Sequence, residues 1–261
     1  MDLSFLDEPE ALEVIFPLVY SPFFADSFFP SPEPDYLIPV AEGVEIGCEF
    51  WTVAKDAPTI LFFHGNGETA SGYESIAPLY NQMSINLFVA DYRGYGASSG
   101  KPTVSNMLAD APHIFSDFKE IMAKEGFRGS LFVMGHSLGS MSAIEVAVSH
   151  GHEISGLIVE SGSATNFRRL MSRLSMDETA FTEANPYLNK VKIRKVTSPT
   201  LIIHGELDEL VPLEEGRELY QASGAVTKHL LVIPGVGHND IMMAGELYFG
   251  TIETFVKTHA K

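Results

Sequence analysis

The pattern G-x-S-x-G occurs twice in the sequence, around Ser98 and around Ser137. A serine in this pattern can act as a nucleophile when a strand leads into it and a helix follows, because the sharp turn between them exposes the hydroxyl group. Ser137 has this context, since it follows the apolar run 130–134 and precedes the helical segment 138–150. Ser98 lies in the Gly-rich loop 92–102, which is typical of turns. We therefore predict that Ser137 is the nucleophile and that Ser98 has a structural role.

A serine hydroxyl needs a neighbouring base, and the base needs a third group that holds it in the correct tautomer. Asp208 follows the apolar run 200–203, and His238 follows the next apolar run, 228–233. Taken alone, each is also typical of an ordinary loop acid or of a helix-capping histidine. A sharp strand-to-helix turn that carries the serine is called a nucleophile elbow, and it is accompanied by the chain order serine, acid, histidine. We therefore predict Asp208 as the orienting acid and His238 as the base.

Attack on a carbonyl creates an oxyanion, and each backbone N–H that stabilises it contributes about 3 kcal/mol. The turn His64-Gly65-Asn66-Gly67 follows a predicted strand, and its glycines permit a tight turn. Leu138 stands at the predicted start of the helix after the nucleophile. We expect the N–H groups of Asn66 and Leu138 to point at the same oxygen, with His64 ordering the turn.

These residues must be positioned by strands and helices, which alternate from residue 36 onward. The predicted strands cover residues 59–63, 86–91, 130–134, 155–160, 200–203 and 228–233. Several of these runs are apolar throughout, as is typical of parallel strands that helices cover on both faces. The alternation predicts an α/β fold with a mostly parallel central sheet.

Residues 163–199 interrupt the alternation, and we predict a small helical lid there. Apolar side chains recur in this segment at helical spacing and predict one apolar face that lines the substrate pocket: Phe167, Leu170, Met171 and Leu174. The alternative is that this face only seals the core.

Residues 1–35 form an acidic extension rich in Pro and Phe, which precedes the main domain at 36–261. Prolines break any helix that begins near its start. Its apolar side chains are too many for a free linker. We expect the extension to pack on the body, or on a second copy of the chain in a homodimer.

Composition excludes several classes of protein. The 261 residues include 17 Lys and Arg against 34 Asp and Glu, for a formal net charge of -17, so we expect no nucleic-acid partner. The single Cys48 cannot form an intramolecular disulfide or a Cys-rich zinc site, and we expect neither a metal nor a cofactor. No run approaches the ~18 apolar residues of a membrane span, and no basic residue precedes Lys55, as a secretory signal would require. We expect a cytoplasmic protein.

Four motifs resemble those of the α/β-hydrolase superfamily, over roughly residues 58–258. They are the H-G-N-G turn at 64–67, the D-Y-x-G-Y-G-x-S loop at 91–98, the G-H-S-x-G elbow at 135–139 and the G-x-x-D-x-x-V-P acid loop at 205–212. They are most similar to those of small-lid serine hydrolases of the Bem46-like and α/β-hydrolase-domain type. The resemblance implies the α/β-hydrolase fold and the catalytic and oxyanion roles given above.

We therefore predict a serine hydrolase that cleaves carboxylic esters or thioesters of small molecules through an acyl-enzyme intermediate. Two alternatives stay open. One is a ligand receptor or scaffold on the same fold, whose partner binding would not depend on turnover. The other is a hydrolase of carbon–carbon bonds in small diketones, which would use the same triad but usually has a larger cap.

Overall fold

The computed structural model describes residues 6–20, 33–166 and 185–261, and these residues form an eight-stranded sheet. The strands are β1 (Tyr36–Ala41), β2 (Val44–Trp51), β3 (Thr59–Phe63), β4 (Asn86–Ala90), β5 (Leu131–His136), β6 (Gly156–Glu160), β7 (Thr200–Gly205) and β8 (Lys228–Ile233). All six strands that the sequence predicts are present. The hairpin β1–β2 is not predicted from the sequence, because Pro39 interrupts the apolar run of β1 and a proline argues against a strand except at the edge of a sheet, where β1 lies.

The strand order is β1-β2-β4-β3-β5-β6-β7-β8. The hairpin β1–β2 joins β4 antiparallel, and every other pair in the sheet is parallel. Parallel strands bring their carboxyl ends to one edge, so the loops after β3, β5, β7 and β8 can meet there. The predicted α/β-hydrolase fold with a mostly parallel sheet is confirmed.

Helices cover both faces of the sheet. They are α1 (Pro9–Ile15), α2 (Pro17–Tyr20), α3 (Ala77–Gln82), α4 (Val104–Glu125), α5 (Gly139–His150), α6 (Asn189–Lys192), α7 (Leu213–Ala222) and α8 (Glu246–His259), with 3₁₀ turns at Ala70–Tyr73, Ile193–Lys195 and Ile241–Ala244. Side chains of β3 alternate between two cores: Leu61 packs with α1, α4 and α5, whereas Phe62 packs with α3 and α8. Double coverage is the reason why β3 is buried at every position.

The predicted lid at 163–199 is described only in part. Its described portion contains α6 and the 3₁₀ turn that follows. Residues 167–184 lie outside the described residues, and with them the four side chains predicted to face the pocket: Phe167, Leu170, Met171 and Leu174. Their role therefore stays a prediction.

Residues 6–20 of the N-terminal extension lie against the body of the protein. Leu6, Ile15 and Phe16 are at most 1% exposed and belong to the same core as α4 and α5. The rest of residues 1–32 lies outside the described residues, and the division of the chain at residue 35 stays a prediction. Within the described part of the chain, no helix is long and apolar enough to cross a membrane.

The Gly-rich loop after β4 depends on one buried carboxylate. Asp91 Oδ1 accepts hydrogen bonds from the Ala70 N–H at 2.7 Å and from His64 Nε2 at 3.1 Å, and so ties this loop to the turn after β3. Gly96 has φ 51, and a Cβ there would lie 2.0 Å from Asp91 Oδ2. Gly96 is therefore required both by its backbone conformation and by the close approach of Asp91.

Gly96→Ala should lower the free energy of unfolding by about 2–5 kcal/mol, because the left-handed conformation costs an alanine about 1–2 kcal/mol and the clash adds about 1–3 kcal/mol. Gly43→Ala is the matched control: Gly43 has φ 68, but a Cβ there would meet nothing within 4 Å. Gly43→Ala should therefore lower the free energy of unfolding only by the conformational cost of about 1–2 kcal/mol. Urea unfolding measures both variants, and equal losses would contradict the packing requirement at Gly96.

Candidate active site

Ser137 stands on a sharp turn between β5 and α5, as its motif predicts. Its φ of 50 is unusual for a residue with a side chain. The two glycines of the motif allow this turn. A Cβ on Gly135 would lie 2.3 Å from the Gly139 carbonyl oxygen, and a Cβ on Gly139 would lie 2.0 Å from the Phe63 oxygen. The elbow is therefore pressed against both its own helix and the neighbouring strand β3.

Ser98 occupies a different environment, which agrees with a structural role. Its hydroxyl oxygen accepts a hydrogen bond from the Gly47 N–H at 2.9 Å and so ties the Gly-rich loop to β2. Ser98 has no histidine partner among the described residues.

The loops after β7 and β8 bring Asp208 and His238 to Ser137. His238 Nε2 lies 2.8 Å from Ser137 Oγ, and His238 Nδ1 lies 2.7 Å from Asp208 Oδ2. The acid and the histidine are buried, with 5% and 8% of their surface exposed. Since a carboxylate only accepts, Nδ1 carries the proton in the neutral ring and Nε2 accepts from the serine hydroxyl. The three predicted triad residues are thus joined by an unbroken chain of hydrogen bonds.

Asp208 is held ionised by its neighbours. Burial alone would raise the pKa of this carboxyl, but the hydrogen bond from His238 and the Val211 N–H hold the pKa below its usual value. Its second oxygen, Oδ1, accepts from the Leu210 N–H at 3.0 Å and from the Val211 N–H at 2.7 Å. Each carboxylate oxygen therefore has its own partners, which fix the direction in which the acid points.

Sequence reasoning misses His204, which supports the acid loop. Its Nε2 donates to the Val211 carbonyl oxygen at 2.7 Å and lies 3.5 Å from Asp208 Oδ2. Burial lowers the pKa of His204, which favours the neutral ring. The position of His204 at the end of β7, four residues before the acid, is a signal in the sequence that could have indicated it.

Asn66 and Leu138 line the same cavity as Ser137. Leu138 stands at the start of α5, and Asn66 lies in the turn after β3. Among the described residues, neither backbone N–H has a hydrogen-bond acceptor. Both predicted oxyanion donors are therefore close to the serine, with N–H groups that are not used elsewhere in the described fold.

The cavity beside Ser137 has a volume of about 170 Å³ and mainly apolar walls. Met141 and Val211 contribute to it from α5 and from the acid loop. Val14 and Ile15 contribute from the N-terminal segment, which sequence reasoning did not place at the site. Glu215 also lines the cavity and accepts hydrogen bonds from Ser163 and Thr165.

A buried acid–histidine cluster lies behind the triad. His136 Nδ1 lies 3.0 Å from Glu160 Oε1, and the Tyr248 hydroxyl donates to the other oxygen of Glu160. Burial lowers the pKa of His136, but Glu160 and Glu68 outweigh it and raise the pKa above its usual value. The ring centroid of His136 lies 5.2 Å from that of His238. This cluster lines a second cavity of about 320 Å³, to which His238 also contributes.

A metal site was sought among clusters of His, Cys, Asp and Glu. Within residues 6–20, 33–166 and 185–261, no group of three or more such residues could hold a metal ion. The His150 and His152 pair is near Glu153, with His150 Nδ1 at 2.8 Å from its carboxylate. These histidines thus belong to a surface ion-pair group.

The fold and the elbow define the class of this protein: the chain belongs to the α/β-hydrolase superfamily, and it is a hydrolase. A family model described as serine aminopeptidase, S33, matches residues 54–184. The alpha/beta hydrolase domain-containing protein 17B of Homo sapiens is 31% identical over 242 residues, which cover 89% of this chain and 79% of the relative. Protein 17C of Mus musculus is 30% identical over 217 residues, with 81% of this chain and 63% of the relative covered.

Solved structures share the fold at low sequence identity. The esterase Pf2001 of Pyrococcus furiosus superposes with a TM-score of 0.70 at 20% identity, over 88% of this chain and 93% of that one. Est1E of Butyrivibrio proteoclasticus, solved with ferulic acid bound, superposes with a TM-score of 0.66 at 19% identity, over 86% of this chain and 98% of that one.

His136→Phe should lower the free energy of unfolding by about 3–5 kcal/mol, because it leaves the fully buried Glu160 carboxylate without its imidazole partner. His150→Phe is the matched control, since it removes a partly exposed partner of Glu153 and should cost at most about 1 kcal/mol. Thermal and urea unfolding at neutral pH measure both losses. A His136→Phe protein as stable as His150→Phe would contradict a buried ion pair.

Proposed function

We propose that this protein is a serine hydrolase that cleaves carboxylic esters or thioesters through an acyl-enzyme formed on Ser137. The observation that carries this proposal is the hydrogen-bond chain from Asp208 through His238 to Ser137, with lengths of 2.7 and 2.8 Å. The hydroxyl, the base and the orienting acid have the geometry that activates a serine. Esterases and lipases among the solved structures of the same fold are consistent with this chemistry.

In the first half-reaction, Ser137 Oγ attacks the substrate carbonyl carbon while its proton passes to His238 Nε2. The carbonyl π electrons move to oxygen, and the N–H groups of Asn66 and Leu138 stabilise the oxyanion. Asp208 stabilises the imidazolium that forms and does not itself take the proton. When the oxyanion collapses, the bond to the alcohol or thiol breaks, and the leaving group takes the proton from Nε2.

In the second half-reaction, water takes the place of the leaving group. His238 Nε2 removes a proton from the water, whose oxygen attacks the acyl carbon of the Ser137 ester. Collapse of the second oxyanion releases the carboxylic acid and returns the proton to Ser137 Oγ. The walls of the cavity beside Ser137 are mainly apolar, which favours an uncharged acyl group in this site.

A fluorophosphonate probe should label Ser137, because the probe reacts with a serine whose hydroxyl is activated by a neighbouring base. Ser137→Ala should abolish both labelling and hydrolysis of p-nitrophenyl esters while its circular dichroism stays that of the wild type. Ser98→Ala is the matched control and should keep both. Labelling that survives in Ser137→Ala and disappears in Ser98→Ala would identify the other elbow as the nucleophile.

Asp208→Asn should lower kcat by about 10⁴-fold, because an amide at this position no longer holds His238 in the tautomer that accepts the serine proton. Glu206→Gln in the same loop is the control and should change kcat less than threefold, since Glu206 is exposed and the one hydrogen bond of its carboxylate within the described residues comes from the Gly235 N–H. Steady-state kinetics on one ester compares the two. A loss below tenfold in Asp208→Asn would exclude Asp208 as the orienting acid and direct attention to Glu160 or Asp240.

A further inference from the structure

The N-terminal segment, residues 6–20, reaches the cavity of the proposed nucleophile. Val14 and Ile15 line the same cavity as Ser137 and Leu138. The matched family model begins only at residue 54, so this wall belongs to a part of the chain outside the family match. The segment is therefore placed to shape the site from outside the matched region.

Burial and hydrogen bonds hold this segment in place. Ile15 and Phe16 are at most 1% exposed and pack in the core. Asp7 Oδ1 accepts from the Val104 N–H at 2.8 Å, at the first turn of α4, where helix N–H groups have no partner within the helix. At the other end, the Tyr20 hydroxyl donates to the Pro102 carbonyl oxygen at 2.8 Å. The wall is thus anchored on both sides of Val14.

The segment also holds the residue proposed to supply an oxyanion N–H. The Asn66 side chain donates from Nδ2 to the Ile15 carbonyl oxygen at 2.6 Å and accepts at Oδ1 from the Tyr95 hydroxyl at 2.7 Å. The Tyr95 ring in turn contacts the Phe16 ring edge-on, with centroids 6.4 Å apart. The side chain of Asn66 is therefore clamped between the N-terminal segment and the Gly-rich loop, which fixes the direction of its backbone N–H.

We propose that residues 6–20 complete the acyl site, with Val14 and Ile15 as the wall that limits chain length and Ile15 as the support for Asn66. This inference rests on the proposed serine hydrolase function. The ligand class is an uncharged acyl group of short to medium length. The cavity of about 170 Å³ is smaller than the ~300–1,000 Å³ of sites for drug-sized ligands. Glu215 also lines the cavity, and we expect its carboxylate to disfavour an acyl chain that ends in a second carboxylate.

The first test measures kcat/KM for p-nitrophenyl esters from acetate to dodecanoate. In the wild type it should climb roughly fourfold for each methylene that is buried and then level off where the wall is reached. Val14→Trp should move the preferred length down by about two carbons, the span that an indole ring fills. Val14→Ala should move the preferred length up, so the test survives if the larger side chain impairs folding.

Glu13→Trp is the matched control, because it adds the same side chain one residue away, at an exposed position of α1. Its chain-length profile should superimpose on that of the wild type. The proposed wall would be overturned if Val14→Trp and Val14→Ala, both with native circular dichroism, gave the same chain-length profile of kcat/KM as the wild type.

The second test addresses Asn66 as a positioning residue. Asn66→Ala keeps the backbone N–H but removes the clamp, so kcat should fall by about 10- to 100-fold with little change in KM. Affinity for an alkylboronic acid, whose tetrahedral adduct occupies the oxyanion site, should fall in parallel. Asn81→Ala is the control, since Asn81 Nδ2 donates to the Trp51 and Ile85 carbonyl oxygens away from the cavity. Unchanged kcat and boronate affinity in Asn66→Ala would overturn the support role.

The experiments distinguish a failure of the serine hydrolase function from a failure of the N-terminal wall. Hydrolysis that persists in Ser137→Ala would overturn the proposed function itself. An inactive Ser137→Ala together with unshifted profiles in both Val14 variants would leave the serine hydrolase in place and remove only the N-terminal wall.

Discussion

The backbone at Ser137 is held in the left-handed region, and the remaining features of the site depend on this one conformation. A residue with a side chain adopts such a φ at a cost of about 1–2 kcal/mol, which the surrounding packing must offset. Here the offset comes from the fit of Gly135 against the start of α5 and of Gly139 against β3, which leaves no room for a Cβ at either position. The strand, the turn and the helix are therefore a single packed unit that aims the hydroxyl at the edge of the sheet.

The parallel sheet gives this edge its other groups. Because β3, β5, β7 and β8 all end on the same side, four separate loops deliver the oxyanion turn, the serine, the acid and the histidine to one place. The cluster of His136, Glu160 and Tyr248 lies beside them: His136 Nδ1 is 3.0 Å from Glu160 Oε1, and the Tyr248 hydroxyl donates to the other oxygen of Glu160. The Ser137 N–H donates to the Glu160 carbonyl oxygen at 2.8 Å, which links this cluster to the elbow. The site is thus supported by β6 as well as by the strands that carry its reactive groups.

Sequence patterns predict the parts of this arrangement that rest on local rules. Continuous apolar runs indicate the parallel strands, and the glycine spacing around Ser137 indicates the elbow, because both follow from constraints on neighbouring residues. The edge strand β1 is not predicted because Pro39 stands within its apolar run Tyr36–Ala41, and a proline argues against a strand in the interior of a sheet. The place of Val14 at the cavity also cannot be predicted from the sequence, because the residues outside the N-terminal segment that line the cavity lie about 50 to 200 positions away and no local periodicity encodes such contacts. His204 is an intermediate case. Its position at the end of β7, four residues before Asp208, can be seen in the sequence, but its hydrogen bond to Val211 cannot.

The most direct test of the central claim is rapid-quench mass spectrometry of the intact protein during single turnover of an ester. If Ser137 is the nucleophile, the protein should show a transient mass increase equal to one acyl group. Peptide mapping should place this group on the peptide that contains Ser137, and it should form at the rate of leaving-group release. Leaving-group release with no acyl adduct, or an adduct on a peptide that lacks Ser137, would contradict an acyl-enzyme on Ser137.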